Sequence, residues 1–220
     1  VVVASFCYLL VQIINYQRAQ EYRESLTDGI SYVISEGVAR QPQKQQKLDW
    51  ISDASDLLEL PIFYVDANRV ELSRTEKKRI AEQKSVVRYD ANKGIGYMII
   101  GLRGDTEHFL YIKVDKIGER QMKALPIFVL DYLIFYPGQE REYLEKIKKH
   151  FYYPIDISDI KDINLDSEQI GRLRQDQSVL LYRDSASIRG TTISIVSPMP
   201  NHPAQVLVLG PVPMFNWMPF

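Results

Sequence analysis

The residues QKSVVRYD (83–90) return 93 positions later as DQSVLLYR (176–183). One short word can recur by chance. An ordered series at a single spacing points to one folding unit used twice, which restricts the architecture more than any other feature of this chain. At the same offset Pro61 and Ile62 meet Pro154 and Ile155, Leu72 meets Leu165, and Arg79 meets Arg172. Ile80 meets Leu173, Ser85 meets Ser178, Val86 meets Val179 and Tyr89 meets Tyr182. Upstream, ISYVISEG (30–37) lies beside LDYLIFYP (130–137); downstream, FLYIKVD (109–115) lies beside QVLVLGP (205–211). Most matched positions are of the buried type, as expected where a core is kept and a surface drifts. The competing reading is two unrelated α+β halves with similar turns.

Each unit reads as a helix (43–58, 139–151), then a short strand (61–65, 154–158) whose proline suits a strand start or edge. A short helix follows, opened by SRTE (73–76) or DSEQ (166–169), both with an N-cap residue and Glu or Gln three positions later. Three strands complete the unit: SVVRYD, GYMIIGL and HFLYIKV in the first, SVLLYRD, TTISIVS and AQVLVLG in the second. Short connections between neighbours predict antiparallel pairing. The fold class is α+β: two tandem PAS-like units, each an antiparallel sheet with helices, preceded by a long helix. ALPIFVLDYLIFY (124–136) is apolar but short and interrupted by Pro126 and Asp131, so we read it as the second unit's buried first helix and not as a membrane span.

VVVASFCYLLVQII (Val1–Ile14) carries no charge. As a helix it reaches about 21 Å at about 1.5 Å per residue, against a hydrocarbon layer of roughly 30 Å. It fits the end of a first transmembrane helix, the core of a signal peptide, or a buried core helix. No small-residue cleavage site follows it, so we read the first. Tyr22, Leu26, Ile30 and Val33 then fall on one face of an exposed helix at 15–36. PVPMFNWMPF (Pro211–Phe220) reads as the approach to a second span. The expected boundaries are 1–14 (membrane helix), 15–121 (linking helix and first unit), 122–211 (second unit) and 212–220 (second membrane approach). The net charge of −1 leaves no basic excess for a nucleic-acid partner, and Cys7 is the only cysteine, so no disulfide closes within the chain.

Chemistry is sparse. His108, His150 and His202 have no His or Cys at metal-ligand spacing and read as solvated. No nucleophile elbow, phosphate loop, zinc-protease or dinucleotide-binding pattern occurs, so no catalytic residue, metal site or cofactor is expected in this segment. Asp156, Asp159, Asp162 and Asp166 are weak candidates for binding a hard cation, because such ions need several converging oxygens. Without the EF-hand alternation they read better as solvated acids.

The stretch from Ile170 to Pro213, with Arg172, Leu173 and Arg174 and a closing Gly210, Pro211, Val212, Pro213, resembles the extracytoplasmic sensor region of RstB-type histidine kinases. A typical region of that family holds one such unit and this chain holds two, so ligand and dimer geometry are not carried over. The resemblance implies a periplasmic input domain of a bacterial inner-membrane kinase of envelope and biofilm traits. The parent would use ATP and Mg and signal to a response regulator. We expect a homodimer that responds to an ion, small molecule or envelope protein, with Tyr22, Leu26, Ile30, Val33 and Gly210–Pro213 coupling the signal to the spans. Rival readings are a non-signalling envelope scaffold, a tethered hydrolase, or a sensor with another output.

Overall fold

A computed structural model describes residues 2–90, 92–114, 118–185 and 190–213. The first unit comprises α1 (Val2–Ala39), α2 (Lys44–Leu58), β1 (Ile62–Asp66), α3 (Arg74–Ala81), β2 (Val86–Asp90), β3 (Ile95–Leu102) and β4 (Asp105–Val114). The second repeats this order as α4 (Glu119–Leu133), α5 (Glu140–Lys148), β5 (Ile155–Asp159), α6 (Ser167–Leu173), β6 (Val179–Ser185), β7 (Gly190–Met199) and β8 (His202–Pro213). A single 3₁₀ turn follows β1 at Ala67–Arg69 and β5 at Ile160–Asp162. The two four-stranded sheets are antiparallel, in the orders β1-β4-β3-β2 and β5-β8-β7-β6.

Local chemistry starts the short helices where the capping pattern placed them. The Ser73 amide donates to Glu76 Oε2 at 2.7 Å and the Glu76 amide donates to Ser73 Oγ at 3.3 Å. Asp166 and Gln169 make the same exchange at 3.0 and 2.8 Å. Both helices thereby satisfy donors that their first turns would otherwise leave unpaired.

Strand register shows how closely the units correspond. Val86 opposes Ile99 and Val179 opposes Val196; Met98 opposes Ile112 and Ile195 opposes Leu209. Even the bulge recurs, after Gly101 in β3 and after Pro198 in β7. The offset is 93 through β2 and 97 from β3 onward, because the β6–β7 hairpin is longer by four residues. This corrects the downstream sequence alignment, which ran one residue short: Phe109 corresponds to Val206, not Gln205. The first helices also align differently, since Ala39 and Leu133 end α1 and α4 94 residues apart rather than the 100 of the word match.

The units share one core. Ile30, Val33, Ile34 and Val38 of α1 pack with Phe128, Val129 and Leu133 of α4 and with the inner faces of both sheets, Leu110 and Ile112 on one and Leu207 and Leu209 on the other. The apolar run 124–136 is a buried helix only in part: α4 buries Ala124, Phe128, Val129, Tyr132 and Leu133 but exposes Ile127 and Asp131, and it ends before Ile134 and Phe135, which are exposed. The expectation of an exposed helix at 15–36 is corrected: α1 is buried along Gly29–Ser31 and Val33–Val38. Its acidic side chains Glu24, Asp28 and Glu36 meet arginines of other elements, whereas Arg18 and Glu21 stay exposed. Among the described residues no helix is long and apolar enough to cross a membrane.

Candidate functional site

The seam around α1 holds most of the buried polar chemistry. Glu24, Ser31, Ser35 and Glu36 are all buried on this helix. Arg79 of α3 meets it from the first unit. Its Nη2 donates to Asp28 Oδ1 at 2.9 Å and Oδ2 at 3.2 Å, while its Nε lies 3.1 Å from Glu24 Oε2 and donates to the Ser85 carbonyl at 2.9 Å. The Ser85 amide and hydroxyl also donate to Asp28 Oδ1, at 2.9 and 3.0 Å, and Thr27 Oγ1 sits 2.7 Å from Ser85 Oγ. One turn pair further along, Ser35 Oγ donates to the Gly101 carbonyl at 3.0 Å and accepts from the Arg103 amide at 2.9 Å. Arg103 Nη1 bonds Glu36 Oε1 at 2.5 Å. Each buried carboxylate thus has a guanidinium partner, which burial of a charge requires.

The second unit holds α1 through rings. Tyr22 meets Tyr152 edge-on at 5.4 Å, and Tyr32 stacks on His150 at 3.8 Å with ring planes 11° apart. The Gly29 backbone lies against the Phe151 ring so closely that a Cβ there would sit 2.4 Å from Cγ. Near the end of α1, the Arg40 guanidinium lies 4.4 Å over the Tyr132 ring and 4.5 Å over Phe135, and donates to the Tyr132 carbonyl at 3.3 Å. Burial, with Tyr152 nearby, pushes the Tyr22 hydroxyl up to about 12. Burial, then the Lys149 charge, lowers His150 against the opposing pull of Glu36 and Asp28. On the outer face of the first unit, the hydrogen-bonded Arg88 pulls Glu76 down to about 2.

The four helix positions expected to couple signal all take part in this packing. Ile30 and Val33 are fully buried, Leu26 is half-buried against the shared core, and Tyr22 makes the ring contact. At the far end, Gly210, Pro211, Val212 and Pro213 lie within β8 rather than beyond it, with Val212 opposite Ile193 and Pro213 opposite Thr192. The paired strand thus extends two residues past the expected boundary at 211. Gly210 needs its missing side chain: its φ is +108°, and a Cβ would come within 2.7 Å of the Ile193 carbonyl oxygen. Its N–H donates to the Pro154 carbonyl at 2.8 Å.

The acidic candidates do not converge. Asp156 is exposed and 3.4 Å from Lys148 Nζ, Asp159 is 3.7 Å from Lys161 Nζ, Asp162 ends the 3₁₀ turn, and Asp166 caps α6. Among the described residues no group of three or more His, Cys, Asp or Glu could hold a metal ion. His108 and His150 depart from the solvated reading, whereas the His202 side chain stays 41% exposed. His108 stacks on Tyr64 at 4.4 Å with its Nδ1 3.1 Å from Asp105, His150 stacks on Tyr32, and His202 Nε2 lies 3.6 Å from Glu140.

Neither protein-family models nor curated proteins contain a match to this chain.

Repeat symmetry exposes a second feature that sequence reading missed. On the outer face of the second sheet, Leu173, Val179, Leu181, Val196 and Val206 form a sealed satellite core, with Ile160, Ile163 and Leu165 against it. The corresponding place in the first unit is an open cleft of about 350 Å³ between α3 and the β3–β4 hairpin, lined by Leu72, Lys77, Ile80, Arg103, Thr106 and Phe109 among others. The copies differ in residue type around this place: two apolar members of the satellite core, Leu181 and Ile160, correspond to Arg88 and Ala67 in the first unit, and Lys77 of the cleft lining corresponds to Ile170.

Proposed function

We propose that this chain is the sensing input domain of a membrane-bound two-component histidine kinase, built from two PAS-like units and acting as a homodimer on the periplasmic side of the inner membrane. The observation that carries the reading is the position of α1. The helix that begins with the apolar run is held by ion pairs from one unit and by ring contacts from the other, inside a core both share. A rearrangement of either unit against the other changes the contacts of that helix. Such a shift is what a ligand with different affinities for two states produces. The sheet order 1-4-3-2, with a short helix crossing between its first two strands in sequence, supports the PAS-like assignment. Gly210–Pro213, held by the Gly210 bond to Pro154 on one side and by pairing of Val212 and Pro213 with β7 on the other, supports rigid transmission at the other end.

The test uses the parent protein in membranes. Tyr22→Ala removes the edge contact with Tyr152, an interaction of about 1 kcal/mol, and so shifts basal ATP-dependent histidine phosphorylation by roughly fivefold if that contact biases the two states. A parent that forms no acid-labile phosphate with ATP overturns the kinase assignment, and phosphorylation unaltered by the substitution overturns the coupling role of α1.

A further inference from the structure

Two copies with one register end differently on the outer faces of their sheets: one is filled with side chains, the other hollow. We propose that the cleft of the first unit binds a small organic anion with an apolar body, its carboxylate held by Lys77 and its body lying on Leu72, Ile80 and Phe109. The proposal deepens the sensing reading and rests on it, since it names the class of signal. The charges on the rim decide the sign of the ligand. Asp105 is already committed: its carboxylate accepts from the Tyr64 hydroxyl at 2.7 Å and from the amides of Glu107 and His108 at 3.0 and 3.1 Å, with His108 Nδ1 at 3.1 Å. Arg103 is bound to Glu36. Lys77 is exposed at the mouth and has no ion-pair partner among the described residues, so it is the charge left to answer a ligand. In the sealed copy its position is taken by Ile170, on the same helix as Leu173 of the satellite core. An apolar wall with one uncommitted ammonium matches the usual make-up of a small-molecule site, a mainly apolar concavity with few orienting polar groups. The volume of about 350 Å³ sits at the small end of such sites, which span roughly 300–1,000 Å³.

The experiment titrates the full 220-residue chain by calorimetry with 3-phenylpropionate, using uncharged 3-phenylpropionamide as the comparison. The acid binds, and the amide binds about tenfold more weakly, the loss expected for one charge-assisted hydrogen bond. Lys77→Gln removes that preference. Ala81→Trp and Thr106→Trp, both at exposed positions on the cleft, each abolish binding, whereas Arg174→Trp at the corresponding place on α6 leaves it unchanged. Failure of the acid to bind, equal binding of acid and amide, or binding that survives both cleft-filling substitutions overturns the proposal. Kinase output plays no part in this titration. A negative result therefore removes this signal class and leaves the sensing reading in place, and a parent without histidine phosphorylation leaves the binding result intact.

Discussion

Arg79→Met tests the seam most directly. The substitution keeps the length of the side chain and removes its charge, leaving Asp28 and Glu24 facing an apolar group. The three side chains are only 19%, 13% and 10% exposed, so water does little to compensate. Removing one partner of a buried ion pair costs about 3–5 kcal/mol. Asp28 retains the Ser85 amide and hydroxyl, and Glu24 retains the Gln20 amide at 3.0 Å, which places the loss near the lower end, about 3 kcal/mol. Because both units share a core, urea unfolding followed by far-ultraviolet circular dichroism has a single transition. With an m-value of about 2 kcal/mol/M, its midpoint falls by about 1.5 M. Adding Asp28→Asn and Glu24→Gln to the same chain removes the stranded charges and restores at least half of the loss. A midpoint shift below about 0.5 M, or a triple variant no more stable than the single one, refutes the reasoning.

Two further outcomes follow from the ring contacts of α1. Gly29→Ala lowers the melting temperature, because overpacking against Phe151 costs about 1–3 kcal/mol and outweighs the helix-propensity gain of about 1 kcal/mol; Phe151→Leu in the same chain recovers stability, and a stabilised single variant contradicts the close packing. His150 is favoured neutral in the fold by burial and Lys149 despite Glu36 and Asp28, so its contribution to stability is full above its unfolded value of about 6.5 and is lost as pH falls toward the lower folded value. His150→Phe flattens that part of the stability–pH curve, and a ring-proton NMR titration of His150 with a midpoint at or above the unfolded value rules this out.

What could be read from residues alone was what local chemistry or short spacing determines. SRTE and DSEQ start α3 and α6 because the capping exchange needs only four consecutive residues. The apolar words at one offset exposed the duplication because strand cores keep their type. The slip of one residue downstream arose because QVLVLG and VLVLGP alternate equally well, and nothing in an alternating strand marks which frame its partner uses. The hairpin pairs that fix it are long-range. The burial of α1 was hidden for a similar reason. Glu24, Asp28 and Glu36 look like a solvated face, and the guanidinium groups that neutralise Asp28 and Glu36 lie 51 and 67 residues away. One hint was present: Arg79 recurs as Arg172 among matches that are otherwise mostly apolar, where a repeated charge suggests a structural partner. The cleft left no such mark, since a hollow is a property of what surrounds it.

A molecule holding one scaffold twice carries its own internal standard. Fluorine labels at 81 and 174 report on the same architectural location in two different states of filling. Temperature, denaturant or crowding moves both signals together, whereas an occupant of the hollow copy moves only the first. The difference spectrum of a single sample therefore separates recognition from general softening, with no second protein needed for reference.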